Sequence, residues 1–408
     1  MLKRDFYADI WRELSTDKSM VFLSGPRQAG KTTLARDIIG PAYPNRLYFN
    51  WDVLVNKRLL IKDPVFFEHL NRKDNSVPLV ILDEIHKYRH WKNYLKGVYA
   101  QFAGQYQFLV SGSGRLDLFQ KGGDSLAGRY LQFHLFPLTA AELSDKRRPF
   151  DEFMKNPLAG FDLDPSAQAR HNWEQLSEFS GFPEPFGKSR KTSWRRWSST
   201  YTRQLVREDI LSIQDIRNVD QLEILYSLLP ERVGSPISMS SLAGDLQVSF
   251  ESVKNWLRIF DHFYLTFRIS PWTKKLSRAI LKEKKLYLFN YPLIDDAPAR
   301  FENMAALELL RFVTHANEKG LGRLGLHYLR NKDKQEVDFL VTDRNQPFLL
   351  VEAKYSQDSP AKELLAFQDV FHVPAVQLVN REGVHKFISH GPDKVLVITA
   401  HQWLSSLP

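Results

Sequence analysis

The sequence predicts an α/β protein of two or three domains that opens on a doubly wound parallel sheet. Short apolar runs alternate with helix-length segments from Met20 to Pro137. The chain has 408 residues, and an ordinary domain holds ~100–200. A content of 43% hydrophobic and 25% charged residues is that of a globular chain with apolar side chain for several cores.

The apolar runs Met20 to Ser24, Arg46 to Asn50, Leu79 to Leu82, Gln107 to Ser111 and Tyr130 to Leu135 are bounded by Gly, Pro or polar residues, as buried parallel strands are. Between Arg148 and Pro185 five prolines (149, 157, 165, 183 and 185) interrupt the pattern, which predicts connecting structure. Ser193 to Leu229 reads as mostly helical, with Leu205, Ile210, Leu222, Leu225 and Leu229 at spacings that share apolar faces. Ser240 to Leu246, then Ser249 to Phe260 with Ser249 as N-cap, then apolar Phe263 to Ile269, has the rhythm of a winged helix-turn-helix. From Phe301 the order is helix, three strands, helix and strand, which is a second α/β domain. The expected boundaries are 1–145, 146–235, 236–290 and 291–408.

With no cysteine, disulfides, thiolate zinc sites and cysteine nucleophiles are excluded, and a reducing, cytoplasmic setting is expected. No apolar run approaches the ~18–20 residues that span a bilayer. Met1 to Ile10 lacks the apolar stretch of a signal peptide, so no membrane partner is expected. A net charge of +9 and a pI near 9.4 favour a polyanionic partner.

Gly25-Pro26-Arg27-Gln28-Ala29-Gly30-Lys31-Thr32, followed by Thr33, fits G-x-x-x-x-G-K-[ST] between an apolar strand and a helical pattern. The backbone N–H groups of such a P-loop wrap phosphates, Lys31 reaches the outer phosphates of ATP, and Thr32 ligates Mg²⁺. Leu79 to Leu82 ends in Asp83-Glu84, which places Asp83 as a metal partner and Glu84 as a general base for water. Ser111 and Ser113 end another strand and either touch the γ-phosphate or act as turn residues. Arg129 is either an arginine finger for a neighbouring subunit or a surface ion pair.

These motifs, with Tyr48-Phe49-Asn50-Trp51-Asp52, Gly128-Arg129, Phe136-Pro137-Leu138, Gly181-Phe182-Pro183-Glu184 and Arg207-Glu208-Asp209-Ile210, resemble bacterial and archaeal AAA-type ATPases that carry a C-terminal domain of unknown function. The resemblance covers most of the chain. It implies nucleotide sites at subunit boundaries of a homo-oligomer, a winged-helix middle and a C-terminal PD-(D/E)XK, restriction-endonuclease-like domain. Asn290 departs from the family, which commonly has Asp there.

Glu336 to Val341 and Leu349 to Lys354 read as two strands joined by a turn at Asp343 to Gln346. Alternation puts Glu352 and Lys354 on one face, and the hairpin can bring Asp338 beside them. With Glu302 from the preceding helix, Asp338 and Glu352 are candidate ligands for a second Mg²⁺ or Mn²⁺, and Lys354 a candidate for positioning water. Arg190, Lys191, Arg195 and Arg196 interleave with Trp194, Trp197 and Tyr201, a pattern that suits DNA phosphates with aromatic stacking, or else a solvated helix with its tryptophans inward. Lys254 and Arg258 on the second helix of the winged pattern, with Lys274 and Lys275 near the wing, add to the candidate DNA contacts.

Two functions compete. One is a DNA-directed ATPase whose nuclease-like domain cleaves phosphodiesters; the other is an ATP-driven switch whose nuclease-like domain only binds protein.

Overall fold

The computed structural model describes residues 4–112, 126–144, 146–162, 167–210, 219–274 and 282–408. They form two compact units, Met1–Phe136 and Pro137–Pro408.

The first unit is built on a parallel sheet in the order β2-β3-β4-β1-β5, from β1 (Met20–Ser24), β2 (Arg46–Asn50), β3 (Leu79–Asp83), β4 (Gln107–Ser111) and β5 (Leu131–His134). Side chains alternate between two cores. Val21, Leu23, Ile81 and Leu109 pack with Tyr7, Ile10, Trp11 and Leu14 of the helix Asp5–Asp17. Met20, Phe22, Val80, Leu82, Phe108 and Val110 pack with Trp91, Leu95 and Val98 of the helix Trp91–Phe102. Burial on both faces is why these strands read as continuous apolar runs. Each fully buried aliphatic or Phe side chain contributes roughly 1.5–3 kcal/mol.

The second unit centres on an eight-stranded mixed sheet, in the order β12-β13-β11-β10-β9-β8-β6-β7 among the described residues. Its strands are β6 (Thr266–Pro271), β7 (Lys285–Leu288), β8 (Leu324–Arg330), β9 (Glu336–Asp343), β10 (Gln346–Lys354), β11 (Ala375–Val379), β12 (His385–His390) and β13 (Asp393–Thr399). The β9–β10 turn forms where expected, with Arg344 and Asn345 at φ 48° and 65°. Two consecutive left-handed residues match the twist of a tight hairpin. The helix Ala297–Glu318 is capped by Asp296, whose carboxylate accepts from the Ala299 N–H at 2.9 Å.

The proline-rich connecting stretch contains the helices Phe150–Lys155, Ala167–Phe179 and Pro183–Lys188. Pro149 is an N-cap, and Pro183 and Pro185 lie in a first turn, where the missing N–H costs nothing. In the expected winged region, the helices Met239–Leu246 and Phe250–His262 form, and Ser249 caps the second by accepting from the Ser252 N–H at 3.1 Å. The strands that follow do not stay apart, because β6 pairs with β8, so residues 236–290 share a sheet with the segment expected to begin at 291. No described helix is long and apolar enough to cross a membrane.

Candidate functional site

The loop after β1 turns on left-handed residues, Gly25 at φ 145°, Gln28 at 60° and Gly30 at 100°. A Cβ at Gly25 would collide with the carbonyl oxygen of Leu135, so the loop runs backbone against backbone beside the end of β5. The buried Lys31 ammonium donates to the carbonyls of Gly25 at 2.9 Å and Pro26 at 2.7 Å. Buried Arg4, which the sequence reading missed, donates to the loop carbonyl of Ala29 at 2.6 Å and to that of Phe136 at 2.7 Å.

Asp83 closes β3 fully buried, in register with Asn50 on one side and Ser111 on the other. Its carboxylate accepts from Thr32 Oγ1 at 2.7 Å, Tyr48 Oη at 2.8 Å, Asn50 Nδ2 at 3.4 Å and, at short range, Ser111 Oγ. Burial, and then the charge of Asp83, push the Tyr48 phenol up to about 12. The oxygens of Thr32 and Asp83 are hard donors of the kind Mg²⁺ takes, so these residues fit the ion the P-loop implies. Glu84 sits at φ 56°, its N–H donates to the Ser111 carbonyl at 2.9 Å, and its carboxylate lies 3.1 Å from Lys87 Nζ. Lys87 also meets Asp52 at 2.5 Å. Arg129 is half-buried on the turn before β5; Ser113 lies outside the described residues.

In the second unit Glu302, Asp338, Glu352 and Lys354 are brought together, as the hairpin reading expects. Glu352 Oε2 accepts from the Asp338 N–H at 3.2 Å, Asp338 Oδ2 accepts from the Ala353 N–H at 3.1 Å, and Lys354 meets Glu352 at 2.6 Å. The sequence reading missed what lies between them. Lys285 of β7, 1% exposed in its side chain, places its ammonium 2.7 Å from Glu336, 3.0 Å from Asp338 and 3.2 Å from Glu302. Tyr287 Oη donates to Glu302 at 2.8 Å. A lysine in an otherwise apolar, wholly buried Lys-Leu-Tyr-Leu strand was the available signal.

Burial, then the charge of Asp338, raise the carboxyls of Glu302 and Glu352 above the usual range. Burial pulls the Lys285 ammonium down, but Tyr287, Asp338, Glu302 and Glu336 more than offset it and hold Lys285 well above its ordinary value. Among the described residues no group of three or more His, Asp or Glu side chains is arranged to hold a metal. The expectation of a second Mg²⁺ or Mn²⁺ on Glu302, Asp338 and Glu352 therefore does not fit, because an ammonium already stands among these acids.

On the helix Lys191–Gln204, Lys191, Arg195 and Arg196 are exposed, as is Arg190, its N-cap. Trp194, Trp197 and Tyr201 point inward: Trp194 Nε1 donates to Asn290 Oδ1 at 3.2 Å, and Trp197 stacks on Tyr201 with ring centroids 4.8 Å apart. Of the two readings of these rings, the inward one holds, because they are core. Asn290 Nδ2 also donates to Ser198 Oγ at 2.8 Å, a donor role that an ionised Asp could not fill. Lys254 is paired with Glu251 at 3.1 Å, Arg258 and Lys274 are exposed, and Lys275 lies outside the described residues.

Residues 170–295 match a domain of unknown function (DUF8612), and residues 299–399 match another (DUF4143). Uncharacterized proteins of Mycobacterium tuberculosis and Mycobacterium bovis are each 22% identical over 99% of this chain and 85% of their own. One from Methanocaldococcus jannaschii is 24% identical over 71% of this chain and 66% of its own. The Walker-type ATPase paby2304 of Pyrococcus abyssi covers 72% of this chain and 95% of its own at 13% identity and a TM-score of 0.44. The Aeropyrum pernix ORC1 protein, solved with DNA, covers 74% and 91% at 12% identity and a TM-score of 0.29. Likenesses this distant leave the assignment to the loop, the sheet and the domain match. Residues 17–144 match the AAA domain family and carry an intact P-loop, so the N-terminal unit contains an AAA-type ATPase domain.

Proposed function

We propose that the chain binds and hydrolyses ATP in its N-terminal unit and couples the cycle to a C-terminal half that acts on, or is regulated by, DNA. One observation carries the ATP reading: Thr32 and Asp83 meet at 2.7 Å directly beyond the P-loop, so two of the oxygens that would serve Mg²⁺ lie side by side. Gly25 to Thr33 bind the phosphates through loop N–H groups, and Lys31 leaves the Gly25 and Pro26 carbonyls for phosphate oxygens. Thr32 and Asp83 hold the Mg²⁺, which when bound supplies positive charge against that developing on the phosphates. Ser111 orients Asp83. Glu84, released from Lys87, takes a proton from the attacking water. Arg129 completes the site of a neighbouring copy in a homo-oligomer.

Glu84→Gln keeps ATP binding and slows turnover roughly 10²–10⁴-fold. Turnover at the wild-type rate removes Glu84 from the mechanism. ATPase activity per chain rises with concentration and falls in Arg129→Ala; a concentration-independent rate counts against the finger in trans.

Exposed Lys191, Arg195 and Arg196, with the charge of +9, support the DNA reading. For the C-terminal PD-(D/E)XK-like fold, cleavage by Asp338, Glu352 and Lys354 stands against a non-cleaving interaction module. The position of Lys285 favours the interaction module.

A further inference from the structure

We propose that Lys285 is a built-in cation standing where the C-terminal carboxylate cluster would otherwise take a divalent metal, so that the chain's own ammonium locks Glu302, Glu336 and Asp338. The inference rests on reading the domain as non-cleaving and supplies its physical basis.

An ammonium has three N–H donors and no acceptor. Lys285 donates to Asp338 at 3.0 Å and Glu302 at 3.2 Å and pairs with Glu336 at 2.7 Å, so three carboxylates compensate its charge. Each carboxylate in turn has a further donor. Tyr287 Oη serves Glu302, Arg330 lies 3.5 Å from Glu336, the Ala353 N–H serves Asp338, and Lys354 serves Glu352. The backbone closes on the cluster as well: Gly234 runs at φ 75° so near Glu302 that a Cβ there would lie 2.9 Å from its carboxylate oxygen.

A divalent ion sits roughly 2.0–2.6 Å from its oxygens. An ion held by Glu302 and the Asp338 oxygen that Lys285 meets would have to share the Lys285 position, and two cations that close in a buried site repel strongly. The lysine and the metal are therefore alternatives. In this protein the cluster joins β7, the helix Ala297–Glu318 and the β9–β10 hairpin without an exchangeable ion, which suits a rigid platform for a partner.

The test is a Mn²⁺ titration of the full chain without nucleotide, read by electron paramagnetic resonance. Wild type and Asp338→Asn should bind Mn²⁺ alike. Lys285→Ala should gain one Mn²⁺ per chain, lost again when Asp338→Asn is added. A wild-type Mn²⁺ site that Asp338→Asn removes overturns the inference, as does a folded Lys285→Ala protein that gains none. If Lys285→Ala does not fold, Lys285→Met takes its place, and the wild-type comparison decides alone if neither folds. Cleavage of DNA or RNA is measured in parallel. Metal-free cleavage lost in Asp338→Asn would overturn the non-cleaving reading and leave the Lys285 inference standing. Mn²⁺ bound by wild type at Asp338 without cleavage would do the reverse.

Discussion

Two buried carboxylate centres in this chain are held in opposite ways. The donors on Asp83 are three hydroxyls and an amide, from Thr32, Tyr48, Ser111 and Asn50, all neutral. Asp338 and its neighbours gather instead around the ammonium of Lys285. Neutral donors orient a carboxylate without cancelling its charge, whereas an ammonium supplies the counter-ion outright. The same side chain thus stands among neutral donors in the proposed metal site at Asp83 and within an ion cluster at Asp338.

The strongest way to break this contrast is to neutralise each acid in turn. Asp83→Ala should cut Mg²⁺-dependent ATP turnover on the order of 10⁴-fold, about 5.5 kcal/mol of barrier. Asp338→Ala should leave ATP turnover unchanged while lowering the stability of the second unit by roughly 1–3 kcal/mol, since it removes one of the three carboxylates around a buried ammonium and leaves Glu302 and Glu336 in place. Steady-state kinetics and denaturant melts of both variants decide; a large kinetic effect of Asp338→Ala would end the division of roles.

Glu308 sharpens the contrast as a carboxylate held by backbone. It accepts from the Ala140 N–H at 2.5 Å, and burial, partly offset by Arg311, lifts it to about 7 from an ordinary value of 4.5. A carboxyl with a raised pKa binds its proton more tightly folded than unfolded, so stability should fall as pH climbs from 4.5 to about 7 and then level off. The effect is at most on the order of 3 kcal/mol. Melts of Glu308→Gln against wild type across that window should isolate it, and parallel curves would refute it. The smallest effect concerns the exposed helix. Neutralising Arg195 and Arg196 should flatten the salt dependence of duplex DNA binding by about one unit for each phosphate they had neutralised. An unchanged slope leaves them as solvated surface.

The parallel strands were legible because both faces are apolar, and the P-loop because its spacing is tied to a strand and a helix. The β9–β10 hairpin was legible because alternation and a short turn fix the register of Asp338 against Glu352. Lys285 was not, since the pairings that carry β7 to Glu336 and Glu302 are long-range. The inward turn of Trp194 and Trp197 was one of two readings the spacing left open, because an amphipathic helix with arginines on one face and aromatics on the other has the same spacing whether its rings meet bases or a core. Pro149, Pro183 and Pro185 leave the helices Phe150–Lys155 and Pro183–Lys188 intact, because the position of a proline within a helix, rather than the number of prolines, decides whether it breaks.

Arg4 gives the ATP site a mechanical property. One guanidinium grips Ala29 in the phosphate loop and Phe136, the last residue of the first unit, while Gly25 rides against Leu135. The loop and the segment at residue 136 are thus tied together at two points, through the Arg4 guanidinium and through the backbone at Gly25.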